Sequence, residues 1–242
     1  MVKDQRIQLS GDARLYQLVA RQIAQMIEEH AGEPGWHVPS ERELADELGI
    51  SRPVVREAII ALEMRGIVEV RGRAGIVVLS ADAPQASFET IRDTGPGPFE
   101  LLEARLAIEA SAAGLAAEKV TPYDLVVLND CIRHMEAEAN VQLLHEKGDR
   151  DFHLHIAKMT GNAIIVSMIE RLWELRDESP MWRKLHEHIH APQVRSFWIG
   201  DHHAIVAALR MRNPEAAYAA MARHIRNVTA ELLKADEQGR DR

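Results

Sequence analysis

Apolar residues recur at helical spacing from Leu15 to Glu29, with Leu15, Leu18, Val19, Ile23, Met26 and Ile27 on one face, which predicts a first amphipathic helix. The pattern then breaks and resumes in two shorter helices. Ser40 with Glu43 three residues on is a capping box, Pro39 blocks backward extension, and Leu44, Ala45 and Leu48 share a face before Gly49. Ser51 is placed to cap the next helix, with Arg52 and Pro53 in its first turn and Val55, Ala58, Ile59 and Leu62 as its buried stripe. After Gly66 the period shortens: Ile67-Val68-Glu69-Val70 and Ile76-Val77-Val78-Leu79 read as two strands around an Arg71-Gly72-Arg73 tip. Two capped helices followed by a hairpin predict a winged helix-turn-helix in residues 1–79.

Beyond it, Ala81 to Pro98 carries Pro84, Gly95, Pro96, Gly97 and Pro98, a composition that excludes one continuous element and predicts a linker over residues 80–98. Helical patterns then fill residues 99–235, before a tail at 236–242. They run over about Phe99 to Lys119, Pro122 to His145 behind a Thr121 cap, Asp149 to Thr160, and Asn162 to Glu178. Pro180 to Gln193 reads as irregular or partly helical; Val194 to Arg212 follows, and then a last helix from Pro214 to Lys234. The fold class is therefore mainly α: an N-terminal winged helix-turn-helix and a C-terminal all-α antiparallel bundle.

Charge refines the first half. Opposite the buried stripe of the second short helix lie Arg52 and Arg56, one turn apart near its N-terminal end, where a recognition helix presents reading side chains. Arginine pairs bidentately with guanine edges, and Arg71, Gly72 and Arg73 are placed to touch phosphates or a minor groove. The formal net charge of −8 seems at odds with a DNA reader. Residues 1–80, however, hold 10 Lys and Arg against 12 Asp and Glu, so most of the negative charge lies beyond them. Binding should depend on a few well-placed arginines and on dimer geometry. The single cysteine, Cys131, excludes a disulfide framework. A secretion signal is not evident and no apolar run approaches the ~20 residues of a membrane span, so the expected location is cytoplasmic, without a membrane partner.

Histidine refines the second half. Ten of the 12 histidines lie in the bundle. Asp149 and His153 are four residues apart, on the same face as Ile156 and Ala157. His202 stands among Ile199, Ile205, Val206 and Leu209, and His224 among Ala220, Met221 and Val228. One Asp and three His facing a bundle interior make a candidate metal site; equally, each histidine alone reads as a hydrogen-bonded core residue. His203 competes with His202, since a one-residue rotation exchanges them.

PSERELA, SRPVVREAI and the RGRAGIVV wing make the first half similar to the DNA-binding domain of the GntR family of bacterial transcription regulators. The resemblance implies DNA contacts at Arg42, Arg52, Arg56 and Gly72, with Ser51 on a phosphate; Pro53 departs from the small polar residue often found there. The second half resembles the FCD ligand-binding domain of the FadR subgroup: Asp149, Phe152 and His153 match its D-x-x-F-H element, Thr160-Gly161-Asn162 follows, and Asp201-His202 and Arg223-His224 match its later histidines. That implies a divalent metal on Asp149, His153, His202 and His224, with zinc favoured over nickel, manganese or iron. It also implies a small carboxylate effector, for which Arg105 is a natural partner unless it pairs with Glu109. Leu15-Tyr16-Gln17, the segment from Gly97 to Leu102 and that from Met181 to Ile189 are similar to regulators of hexuronate catabolism. A sugar-acid effector follows, with Asn162, Trp182, Lys184, His186 and His188 as further candidates; otherwise Trp182 packs on the bundle and the His-x-His run is solvated. The expected function is a homodimeric repressor on double-stranded operator DNA, and not an enzyme; a metal-dependent sugar-acid enzyme with an accessory DNA reader is the alternative.

Overall fold

A computed structural model describes residues 14–31, 33–71, 74–79, 94–138, 147–187 and 191–234; Gly72, Arg73, His188 and the tail at 236–242 lie outside them. The chain divides into two units, one made of Met1–Phe99, Ser179–His188 and Leu233–Arg242, the other of Glu100–Glu178 and Ile189–Leu232.

In the first unit α1 (Leu15–Glu29) packs along α3 (Arg52–Glu63), with α2 (Glu41–Leu48) across it. Val19, Ile23, Leu44, Val55, Ile59 and Leu62 are fully buried between them. Each such side chain contributes about 1.5–3 kcal/mol, enough for this small core to hold α3 in place. The Ser40–Glu43 capping box is formed in both directions. Ser51 differs from expectation: it occupies the N-cap position of α3, but its side chain makes no cap hydrogen bond. Pro53, at the second helical position, has no N–H to offer, which removes one of the two usual targets. Strands β1 (Val68–Arg71) and β2 (Gly75–Val78) pair antiparallel with Val68 opposite Val78 and Arg71 opposite Gly75.

The stretch after Pro180 contributes to this unit as a helix, α8 (Pro180–Glu187), packed on α3. Ser179 starts it by accepting from the Trp182 N–H, and Met181, Trp182 and Leu185 are buried. Sequence periodicity misses it because eight residues are too few to establish a helical repeat.

The second unit is helical: most of α4 (Pro98–Ala117), then α5 (Pro122–Glu138), α6 (Lys147–Met159), α7 (Ala163–Glu178), α9 (Ala191–Arg210) and α10 (Pro214–Lys234). Helix α6 packs between α5 and α7, and α9 lies on α5. Ala112, Leu154, Ala157, Ile169 and Trp173 make a core shared by α4, α6 and α7. At the start of α6 a Cβ on Gly148 would come within 2.8 Å of the Met135 backbone. The missing side chain lets the first turn of α6 press against α5, which fixes where Asp149 emerges.

Candidate metal centre and DNA-reading face

Asp149 and His153 stand one turn apart on α6, His202 comes from α9 and His224 from α10. One donor atom from each lies within 4.8 Å of all the others. Asp149 Oδ1 is the hub, 2.9 Å from His202 Nε2 and 3.3 Å from His153 Nε2. The three imidazoles are 1–2% exposed, whereas His203 is exposed, which resolves the register of α9 in favour of His202.

An acceptor stands behind each ring. His202 Nδ1 is 2.7 Å from the Trp198 carbonyl, His153 Nδ1 is 2.5 Å from Glu109 Oε2, and His224 Nδ1 faces Asp201 Oδ2 at 3.8 Å. Such partners hold an imidazole in one orientation with its other nitrogen turned to a metal. Both ring nitrogens of His153 and Nδ1 of His224 are buried without a hydrogen bond of acceptable geometry. Buried polar atoms left so cost about 1–3 kcal/mol each, a cost that a central cation would relieve at the nitrogens facing it. The four donors would have to draw in to reach the ~2.0–2.2 Å bonds of a zinc site. Three imidazoles, one carboxylate and no sulfur suit zinc, nickel, iron or manganese. The residues fit a divalent metal.

Electrostatics agrees. Burial would raise the Asp149 carboxyl, but hydrogen bonds and attraction from His153 and His202 carry it well below the ordinary value. Burial would likewise raise Glu109, yet Arg105 and His153 hold it down at about 2. Burial pulls His153 down, and Glu109 and Asp149 overcome that and raise it. Burial, with His202 beside it, lowers His224 to about 4, so this ring is neutral at pH 7, the form that ligates.

Arg105 pairs with Glu109 through Nε–Oε1 at 2.8 Å and Nη2–Oε2 at 3.3 Å. Its guanidinium also lies 4.2 Å from the centroid of buried Trp173, with Arg176 at 4.8 Å. Glu109 and Arg176 were not singled out as site residues from sequence. The signal for Glu109 is a charge within an otherwise apolar helix, one turn from Arg105; for Arg176 we find none. Asn162 is exposed and its side chain caps α7 through the Ile164 and Ile165 amides. Trp182 is buried on α8, and Lys184 on the same helix reaches within 4.0 Å of Glu63.

On the reading head, Arg42 and Ser51 are exposed and Arg52 is half-buried at the start of α3. Arg71 is exposed and bonded to Glu69, whose hydrogen bond and charge raise its pKa. Arg56 departs from its expected solvent face: it is 5% exposed and grips Glu41 through three contacts of 2.9–3.1 Å. The stripe reading treated α3 as one-sided, but α8 and α2 cover the flank that carries Arg56.

A winged helix-turn-helix joined to a helical unit with a buried His/Asp cluster defines a transcription regulator with a second, all-α module. Residues 15–78 match the model of bacterial regulatory proteins of the gntR family, and residues 100–227 match the FCD domain. The Uxu operon transcriptional regulator of Escherichia coli K12 is 40% identical over 229 residues, covering 91% of this chain and 88% of that protein. The Exu regulon transcriptional regulator of the same organism is 38% identical, covering 94% and 88%. The fold also matches E. coli McbR/YncC with a TM-score of 0.50 at 24% identity, over 91% of this chain and 97% of that one. The chain belongs to the GntR family, in the FadR subgroup with an FCD domain. It is a DNA-binding transcription regulator, and the enzyme alternative finds no support among these relatives. Among the described residues no helix is long and apolar enough to cross a membrane.

Proposed function

We propose that this regulator binds its operator as a homodimer and releases it when a hexuronate, or a close derivative, is captured at a divalent metal held by Asp149, His153, His202 and His224. The observation that carries the proposal is the convergence of those four donors from three helices within 4.8 Å, each imidazole backed by an acceptor. If bound, the metal would supply a Lewis-acidic centre able to attract the carboxylate of an organic acid. The residues around it orient the rings and exclude water. Glu109 holds His153, Asp201 faces His224, and Arg105 supplies a buried positive charge beside the site, suited to an organic acid. Zinc is the first choice, because three imidazoles and a carboxylate match its preferences. The similarity to the Uxu operon and Exu regulon regulators supports hexuronate as the acid; repression relieved by the effector is the mode we propose. A two-fold dimer sets two reading heads on a pseudo-palindromic site, with Arg42, Arg52, Arg71 and the wing tip at Gly72 and Arg73 touching DNA and Ser51 on a phosphate.

The test is operator binding by fluorescence anisotropy, using a site selected from random DNA and zinc-loaded protein titrated with D-glucuronate, D-galacturonate and their keto isomers. A member of the panel should weaken binding for the wild type and not for His224→Ala. Unchanged affinity across the panel would overturn the effector assignment.

A further inference from the structure

Glu57 is a buried carboxylate on the recognition helix, 4% exposed, and it accepts a hydrogen bond of 2.8 Å from the Phe99 N–H in the first turn of α4. A carboxylate at a helix N-terminus meets unsatisfied N–H groups and the positive end of the helix dipole. Here it comes from α3, because Gly97, next before the helix, has no side chain. Gly97 cannot acquire one without displacing Glu57: a Cβ there would lie 2.2 Å from the Glu57 carboxyl carbon. The chain leading into α4 is held a second time, by Tyr16 of α1, whose hydroxyl lies 3.3 Å from Thr94 Oγ1 and donates to the Gly95 carbonyl at 3.3 Å. The Gly-Pro-Gly-Pro-Phe segment is thus a built socket, and Glu57 is its anchor.

The same helix reaches the sensing site. Ten residues after Phe99, roughly 15 Å along α4, Glu109 stands 2.5 Å from the Nδ1 of His153, with Arg105 paired to it one turn earlier. One α-helix therefore carries at its start a bond to the recognition helix and farther along the group that orients a candidate metal ligand. A buried carboxylate is costly to strand, so α3 follows the first turn of α4 when that turn shifts.

We propose that Glu57 is the positioning residue through which α4 passes the state of the imidazole site to the recognition helix. Its counterpart at the other end is Glu109, whose close contact with the His153 ring would change if a cation were held there. This rests on the metal reading above, and the test separates the two. Zinc binding is measured first, by calorimetry, on the full-length wild type, Glu57→Gln and Glu57→Ala; affinities should be alike, because Glu57 touches none of the four donors. Hydrogen exchange of the α3 and Phe99 amides is then followed with and without zinc. Zinc should change α3 exchange by at least about fivefold in the wild type, the low end for coupled sites, and Glu57→Ala should abolish the change. Glu57→Gln, which keeps an acceptor for the Phe99 N–H, should retain part of it, and this variant serves if Glu57→Ala fails to fold. A protein that binds no zinc would sink the metal reading alone. A zinc-independent arm then decides the relay: Glu109→Gln should alter α3 exchange when Glu57 is present and not when it is alanine. Equal responses in the two backgrounds, or zinc binding without an α3 response, would overturn the proposal.

Discussion

Arg56→Ala is the perturbation whose outcome the structure changes most. Read from sequence, Arg56 is a base-reading side chain and its loss costs operator discrimination. In the fold it is a brace: its guanidinium closes on Glu41 at 2.9–3.1 Å, and Glu41 is itself 7% exposed. Ile59, Ile60, Val70 and Leu185 line the adjoining cavity together with Glu63, so a widowed Glu41 would face mostly apolar side chains and a second carboxylate. Removing one partner of a buried pair costs about 3–5 kcal/mol. For a unit of this size, 119 residues, each kcal/mol moves the melting temperature by about 3–6 °C, so Arg56→Ala should lower the Tm of the first unit by at least about 9 °C. Scanning calorimetry of the full chain, with hydrogen exchange over α2 and α3 to assign the transition, reads this directly. Replacing both partners, Glu41→Leu with Arg56→Met, should recover most of the loss, because no uncompensated charge remains. Arg52→Ala should leave the transition in place and cost about 1–3 kcal/mol of base discrimination. An Arg56→Ala protein that melts like the wild type but no longer distinguishes operator sequences would refute the brace.

Two further outcomes are expected. His202→Ala should lose bound zinc while His203→Ala retains it, measured as metal content after dialysis; the reverse result would mean that α9 sits one residue out of register. Zinc uptake should also release protons. The His153 pKa is raised, so its protonated fraction at neutral pH exceeds that of an ordinary imidazole, and ligation requires the neutral ring. Release should grow as pH falls towards 6 and fade as pH rises beyond the raised value; calorimetry in buffers of different ionisation heat measures it, and uptake without release would contradict the His153 assignment.

Much of this was legible in the sequence because it lies in patterns longer than the local ambiguity. The capping box at Ser40 and Glu43 and the alternation in the wing each constrain several residues at once. Asp149 and His153 could be placed together because a four-residue spacing fixes one face of a helix. Three things were not legible. Periodicity cannot choose between His202 and His203 when apolar residues flank both, and only burial does so. The burial of Arg56 depends on α8, a helix more than a hundred residues away in the chain, so a stripe read within α3 alone misassigned its flank. The Ser51 side-chain cap is missing for a local reason, the absent N–H of Pro53 at the second helical position.

The charges around the imidazoles limit what the site can accept. Asp149 and Glu109 are both held below their ordinary pKa and are ionised at neutral pH, with Arg105 supplying one positive charge; Asp201 beside His224 and Arg176 beside Trp173 add one charge of each sign and leave that sum unchanged. A proton shared with His153 completes the balance, which is why that ring's pKa rises against the pull of burial. A divalent ion taken into the same space adds two positive charges and expels the proton, leaving an excess of about one. In a buried site an uncompensated charge is expensive, so the proposed metal-loaded form would favour a ligand carrying a single negative charge. A monocarboxylic sugar acid meets that requirement and a neutral sugar does not. A dianionic acid would overshoot it unless a second cation moved in. If the four donors hold a divalent ion as proposed, a preference for a monoanion would follow from them and the charged groups beside them, without appeal to other regulators.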